Sequence, residues 1–129
     1  MFNRWHKEVL AKGRTATGTV VDTSHVDYTI PGRGFDETIE LRLLIRVTFP
    51  DGSPTEFVSK VPLHDVQHVA GNHTIDCWPR LPELTQVGAS VPVRYDRSDR
   101  GRILLDLPAL LAPVLAESKR GAAKTEPNA

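Results

Sequence analysis

The stretch VGASVPVRYD at residues 87–96, followed closely by ILLD at residues 103–106, decides the fold of this chain. After a turn led by glycine, Val91, Val93 and Tyr95 recur at every second position, which is the period of a strand with one buried face. A charged turn then leads into a second apolar strand. The sequence therefore predicts a β-hairpin that closes a small barrel or sandwich.

Length, composition and charge set the outer bounds. A chain of 129 residues predicts a single domain that buries about two thirds of its unfolded surface without needing a metal or a disulfide. Its 16 basic and 16 acidic side chains balance, so no net charge attracts nucleic acid or an anionic membrane. This balance favours another protein or a small molecule as the partner.

The sequence also indicates a compartment. Cys77 is the only cysteine, so no internal disulfide can form, as is usual in a reducing environment. The charged residues 1–10 lack the apolar run of a signal peptide. The longest apolar stretch, residues 104–115, is interrupted by prolines and is too short to cross a bilayer. We therefore expect a cytoplasmic protein without a membrane span.

Alternation predicts three further strands. In residues 38–49 every odd position is apolar, which is the pattern of a central strand. Residues 55–61 form its hairpin partner, and an odd number of loop residues with Gly52 left-handed keeps the apolar side chains on one face. Residues 15–23 form the first strand. Residues 25–37, with their glycines and proline, form a long loop of the kind that often carries a binding site.

Two helices complete the predicted domain. Residues 62–71 have proline at the start and glycine past the end of a short cap helix. Apolar residues at helical spacing predict a C-terminal helix over residues 108–118, and residues 119–129 lack the large apolar side chains that would order them. The organisation is then an N-terminal segment (1–12), a barrel domain (13–107), this helix and a disordered tail. The expected class is all-β, a five-stranded barrel of OB or SH3 type.

Six residues outside the expected core are candidates for binding. Small five-stranded barrels often present aromatic and basic side chains to single-stranded nucleic acid, and an exposed edge strand can pair with a partner's backbone. The candidates are Tyr28, Arg33, Phe35, Trp78, Arg94 and Arg97. Acidic residues are interleaved with the arginines of the last hairpin, which makes a nucleic-acid interface the weaker interpretation.

Four residues are candidates for a metal site. His64, His68, His73 and Cys77 lie close together in the sequence, and four such ligands can form a zinc tetrahedron. The pentad HDVQH resembles the HExxH of zinc proteases, but its aspartate is one methylene shorter than the glutamate that activates water there. No Cys-x-x-Cys spacing is present. The sequence favours two exposed histidines on the cap helix and a buried Cys77 over a metal site.

Several of these segments together resemble a known family. ATGTVV at residues 16–21, FPDG at residues 49–52 and VPVRYD at residues 91–96 are similar to segments of small β-barrel domains of unknown function that are widespread in actinobacterial proteins. The similarity covers residues 13–107 and implies a bacterial protein with a barrel fold. In that family a proline usually follows the Tyr-Asp pair, where this chain has Arg97. The family has no assigned activity, so the resemblance implies no site residue.

These observations favour a non-enzymatic protein-interaction module in a bacterial cytoplasm. Residues 25–37, the region around Trp78, or an exposed edge strand would contact the partner. A barrel that binds single-stranded nucleic acid or a small ligand is the alternative. An enzyme ranks third, because no spacing of Ser, His, Asp or Gly matches a catalytic or phosphate-binding motif. The sequence indicates no cofactor and no particular oligomeric state.

Overall fold

The computed structural model describes residues 4–29, 32 and 36–125. Its strands are β1 (Arg14–Thr29), β2 (Asp36–Thr48), β3 (Pro54–Pro62), β4 (Ser90–Tyr95) and β5 (Ile103–Leu105). Its helices are α1 (Arg4–Lys12), α2 (Leu63–Ala70), α3 (Thr74–Cys77), α4 (Leu81–Leu84) and α5 (Leu107–Thr125). Two 3₁₀ turns, Gly71–His73 and Trp78–Arg80, connect α2, α3 and α4. We call the helical turns between α2 and β4, residues 71–84, the cap segment.

The five strands form one antiparallel sheet in the order β3-β2-β1-β4-β5, curved into a nearly closed barrel. The first part of β1 pairs with β4 through residues 14–19, and residues 18–29 pair with β2. The predicted five-stranded barrel with a cap helix and a C-terminal helix is confirmed. The all-β class is wrong, because helical segments occupy about as much of the described chain as strands do.

Three helical regions account for that difference. Residues 4–12 form α1, whose helix-forming residues direct Val9 into the core, although no secondary structure was assigned to the N-terminal segment (1–12) from the sequence. The cap segment consists of turns of three or four residues each, which are too short to show a helical period in the sequence. Helix α5 continues to Thr125, so residues 119–125 are helical instead of tail, because lysine, arginine and alanine favour helix continuation. The remaining predicted tail lies outside the described residues.

The core lies on the inner face of the sheet. The odd-numbered apolar residues of β2 from Leu41 to Val47 are buried as the alternation predicted, and so are those of β4, whereas Ile39 near the start of β2 is exposed. The largest fully buried side chains include Leu43, Ile45, Val47, Val91 and Val93 from the strands, Val66 from α2, Leu81 from α4 and Leu111 from α5. The helices thus close the barrel against the inner face of the sheet.

The turn between β2 and β3 has the odd number of residues that the sequence predicted. The last ladder pair is Thr48 with Pro54, which leaves five residues between the strands. The Phe49 N–H donates to the Ser53 carbonyl at 2.9 Å, and Gly52 has the left-handed φ of 86°. An odd loop with a left-handed glycine therefore keeps the register in which both strands bury the same face.

The loop expected at residues 25–37 is largely wrong. Strand β1 continues to Thr29 and β2 already begins at Asp36, so these strands form a long hairpin arm. The register shifts between Val20 and Asp22 and again between Val26 and Asp27. The first shift leaves Val21 as an extra residue on β1, and the second leaves Ile39 as an extra residue on β2, so each interrupts the alternation of the strand that carries it.

Candidate functional site

The β1–β2 arm extends beyond the strands that flank it. Strand β4 pairs with β1 only as far as Thr19. In the turn before β4, the Gly88 N–H donates to the Val20 carbonyl, and the Val20 N–H donates to the Ala89 carbonyl. Within the described chain, no strand pairs with residues 21–28 on the edge of β1 that faces away from β2. We call these residues the open edge of β1. Most of their side chains are exposed to solvent.

A cavity of about 390 Å³ lies between this arm and the cap segment. Its apolar wall combines Leu41 and Leu43 from β2 with Trp78, Pro79 and Pro82 from the cap segment. The rim is polar and carries Thr23, Ser24, His25 and Thr38 from the arm, while Thr85 closes one side. A concave apolar site with a few convergent polar groups is the usual form of a binding pocket.

The strand register explains why these side chains converge. Thr23 lies opposite Leu43, and His25 lies opposite Leu41. Directly opposite residues of an antiparallel pair point to the same face of a sheet, so Thr23 and His25 share the inner face with the two leucines. The second register shift then places Asp27 opposite Thr38 on that face.

A carboxylate organises the polar rim. Thr38 Oγ1 donates a hydrogen bond to Asp27 Oδ1 at 2.8 Å, and His25 Nε2 lies 3.3 Å from Asp27 Oδ2. When the imidazole is neutral, this contact favours the proton on Nε2 and leaves Nδ1 as an acceptor. The rim therefore offers a ligand an imidazole nitrogen whose tautomer is set by Asp27.

The helical cap holds Trp78 at the cavity. Its neighbour Cys77 is fully buried, and Leu81, one turn further on, is also fully buried. The buried hydroxyl of Thr85 donates to the Leu81 carbonyl at 2.6 Å, so this polar group at the cavity wall is satisfied. The half-buried indole is thus fixed from both sides by residues anchored in the core.

Of the six residues predicted for binding, Trp78 lines the cavity. Tyr28 lies on the open edge with 53% of its surface exposed, and Arg97 is exposed in the turn after β4. Arg33 and Phe35 lie outside the described residues. Arg94 has a structural position, because its Nε donates to Asp106 Oδ2 at 2.8 Å and its Nη1 donates to the Gly13 carbonyl.

The other arginines of the last hairpin are also paired with carboxylates. Arg100 Nη1 donates to Asp51 Oδ2 at 2.7 Å, and its guanidinium carbon lies 4.4 Å from the centre of the Phe49 ring. Arg102 lies 3.5 Å from a carboxylate oxygen of Asp99. Three of the four arginines in this region, Arg94, Arg100 and Arg102 but not Arg97, therefore have a carboxylate partner. This pairing reduces the positive charge available to a phosphate backbone.

The four candidate metal ligands do not form one site. His64 and His68 are exposed on α2, while Cys77 is in the core, where burial raises the pKa of its thiol. His73 faces the hydroxyl of Ser118. In the part of the chain that the structure describes, no three His, Cys, Asp or Glu residues are grouped so that they can hold a metal ion.

A second polar cluster joins the cap segment to α5. Ser118 Oγ donates to Asp76 Oδ2, and His73 Nδ1 lies 2.7 Å from the same hydroxyl oxygen. Since a hydroxyl has one hydrogen and Asp76 receives it, His73 must act as the donor to Ser118. In a catalytic triad the imidazole accepts the serine proton, so this geometry holds the hydroxyl without activating it.

Sequence reasoning missed most of this site. Thr23, His25 and Asp27 stand at every second position, as the rim residues of one strand face would. The sequence analysis, however, assigned Thr23 to the first strand and placed His25 and Asp27 in the loop at residues 25–37. The apolar wall gave no signal, because the residues that meet there are far apart in the sequence.

The chain matches no protein-family model, and searches of curated proteins and of solved structures also gave no match. The geometry offers an unpaired strand edge and, beside it, a cavity with an apolar wall and a polar rim. Among the described helices, none has both the length and the apolar character required to cross a membrane.

Proposed function

We propose that the protein is a non-enzymatic interaction module that binds an extended segment of another protein along the open edge of β1. The observation that carries this proposal is the position of the cavity beside that edge. In strand addition, main-chain hydrogen bonds supply affinity and pockets for alternate side chains supply specificity. Every second side chain of an added strand points to the face that carries Thr23 and His25, and so towards the cavity.

The lining of the cavity indicates the chemistry of the segment. Leu41, Leu43 and Trp78 favour an aliphatic or aromatic side chain, and the volume of about 390 Å³ is sufficient to receive one. The arm is acidic, with Asp22 and Asp27 on β1 and the exposed Glu37 on β2. We therefore expect a segment with one large apolar side chain and a lysine or arginine near it.

A small ligand in the same cavity is the second candidate. The volume is within the range of small-molecule sites, and His25 and Thr38 would supply the polar contacts. The barrel type expected from the sequence, OB or SH3, is compatible with either occupant. Single-stranded nucleic acid is less favoured, because carboxylates pair with Arg94, Arg100 and Arg102.

The test is a selection of binding peptides from a display library of extended random sequences, followed by calorimetry on synthetic peptides. Trp78→Ala should weaken binding tenfold or more, because buried aromatic anchors dominate binding energy. Ile75→Ala is the matched control, since Ile75 is 78% exposed on the same cap segment and does not line the cavity. Its affinity should equal that of the unchanged protein.

Backbone pairing is tested on the peptide itself. N-methylation at alternate positions removes donors on one edge of an extended strand, so one methylated series should lose binding and the other should retain it. If the selection yields no peptide and a small-molecule screen finds ligands that Trp78→Ala weakens, the second candidate replaces the first. If neither class binds, the proposed function is wrong.

A further inference from the structure

The two strands at the ends of the sheet, β3 and β5, leave a narrow gap in the wall of the barrel. Their Cα atoms approach within 8 Å, but the strands form no ladder with each other. A direct ladder needs a spacing of about 5 Å, and an inserted strand needs about twice that distance. The gap therefore has room for small polar groups but not for another strand.

Main-chain groups of β3 point into this gap. Hydrogen bonding alternates along an antiparallel ladder, and the Phe49 N–H donates to the Ser53 carbonyl at the start of the β2–β3 ladder. The N–H and C=O groups of the odd-numbered residues of β3 therefore face β2. Those of the even-numbered residues Val58 and Lys60 face the gap, and within the described chain they have no main-chain partner there.

Main-chain groups of β5 point into the gap from the other side. The Asp106 N–H donates to the Pro92 carbonyl, which fixes the alternation of the β4–β5 ladder. The N–H and C=O groups of Ile103 and Leu105 consequently face away from β4. The gap thus presents donors and acceptors of both strands to whatever lies between them.

A cavity of about 440 Å³ lies at this gap. Its apolar wall includes Phe57 and Val61 from β3, Ile103 and Leu105 from β5, and Leu107 from the start of α5. The volume is within the range of small-molecule sites, which are mostly apolar and contain a few polar groups. It shares no lining residue with the cavity beside the open edge of β1.

Two of the four ionisable side chains that line this cavity bring no unbalanced charge. Glu40 accepts a hydrogen bond from Arg42 Nε at 2.8 Å, so an arginine balances its carboxylate. Burial lowers the pKa of His6, so its imidazole is neutral near neutral pH.

The other two are Lys60 and Asp65, and they carry opposite charges. Within the described chain, Lys60 has no carboxylate at ion-pair distance. Asp65 likewise has no lysine or arginine at that distance, and its contact with His64 is long, at 3.8 Å between Nδ1 and Oδ1. The cavity therefore combines one ammonium and one carboxylate that lack a strong partner with an apolar wall.

We propose that this cavity binds an α-amino acid with a large apolar side chain. The carboxylate of the ligand accepts from Lys60 and from main-chain N–H groups that face the gap. The ammonium group donates to Asp65 and to main-chain carbonyls of the same gap, while the apolar side chain packs against the wall. A zwitterion balances both charges and supplies both the acceptor and the donor that unpaired strand edges require. This site does not depend on the function proposed for the open edge of β1.

The test is calorimetric titration of the full chain with leucine, phenylalanine and tryptophan. Each amino acid is compared with two analogues, one without the amino group and one without the carboxylate. At least one amino acid should bind, and both of its analogues should bind about tenfold or more weakly, because each loses charge-assisted hydrogen bonds. If no amino acid binds at millimolar concentration, or if either analogue binds as tightly as its parent, the inference is wrong.

Variants locate the site. Lys60→Gln and Asp65→Asn each remove one charge and keep a polar side chain, so each should weaken amino-acid binding about tenfold or more. Lys12→Gln and Glu83→Gln are the matched controls, since both residues are exposed and neither lines the cavity. Trp78→Ala, in the other cavity, should also leave the affinity unchanged. Binding that persists unweakened in Lys60→Gln or Asp65→Asn, or that is lost in Trp78→Ala, would overturn the inference.

Discussion

The side chain of Asp106 connects β4 to the start of α5, and its partner Arg94 extends the connection to Gly13. Its Oδ2 accepts from Arg94 Nε at 2.8 Å, and its Oδ1 accepts from the Ala109 N–H at 3.1 Å at the start of α5. Arg94 in turn donates to the Gly13 carbonyl at 3.2 Å. Only 5% of Asp106 is exposed, so these contacts replace water almost completely. The residue is both an N-cap and the partner of a half-buried guanidinium.

Asp106→Ala should lower the free energy of unfolding by about 3 kcal/mol, because it removes the cap and leaves Arg94 without its counter-charge. Asp106→Asn is the matched variant, since it keeps an oxygen for the Ala109 N–H and loses the charge and the second acceptor that face Arg94. Its loss should be about half as large. Urea titrations followed by circular dichroism measure both values. Equal losses for the two substitutions would show that the cap contributes nothing.

At the scale of elements, the turn between β2 and β3 is held by a carboxylate with three hydrogen-bond donors. Asp51 accepts hydrogen bonds from the Ser53 hydroxyl at 2.6 Å and from the Ser53 N–H at 2.9 Å, and Arg100 donates to it at 2.7 Å. The Ser53 hydroxyl, the Ser53 N–H and Arg100, in that order of importance, hold the pKa of this carboxyl well below its usual range. The turn is therefore tied to the last hairpin through Arg100.

This pKa shift predicts a pH dependence of stability. Because the folded pKa is below the unfolded value of about 3.9, the contribution of Asp51 is complete above that value and is lost as pH falls towards the folded pKa. The difference in urea midpoint between the unchanged protein and Asp51→Asn should be constant near neutral pH and should shrink below about pH 4. Glu83→Gln controls for the loss of one exposed carboxylate. Since Asp51 is exposed, the difference should also shrink with salt.

Elements differ in how far the sequence predicts them. The alternation in β2 runs without interruption from Leu41 to Val47, and the parity of its loop sets the register with β3, so both were predicted. The outer half of β1 was not, because its register shifts and its inner face carries Thr23 and His25 where a core strand carries apolar residues. The same polar residues form the rim of the candidate site. The polar residues on the inner face of β1 therefore both prevented its outer half from being predicted as a strand and make that half suitable for binding.

The candidate site itself could be predicted only in part. Trp78 was singled out as an aromatic side chain outside the expected core that could stack against a ligand. Its partners on β2, Leu41 and Leu43, were assigned to the core, and they do belong to it. The cavity arises where the arm passes over the cap segment, and contacts between such distant parts of the chain leave no local pattern in one sequence.

At the scale of the whole molecule, the reactivity of the single thiol, Cys77, can show whether the cap segment and the barrel unfold together. Cys77 is fully buried in the same core cluster as Ile45, Val93 and Leu111, which come from β2, β4 and α5. Burial also raises the pKa of the thiol, so the reactive thiolate is disfavoured in the folded state. A thiol reagent can then reach Cys77 only when the cap segment separates from the barrel.

If that separation requires global unfolding, labelling of the native protein should be slower than labelling of the unfolded chain by a factor of about 1,000 or more. The logarithm of the labelling rate should then rise with urea at the slope of the global unfolding transition. A rate that does not change at low urea would instead show that the cap segment opens alone. A peptide held against Trp78, next to Cys77, binds only the closed form, so it should slow labelling in either case. Trp78→Ala should remove this protection, which connects the stability of the cap segment to the proposed binding site.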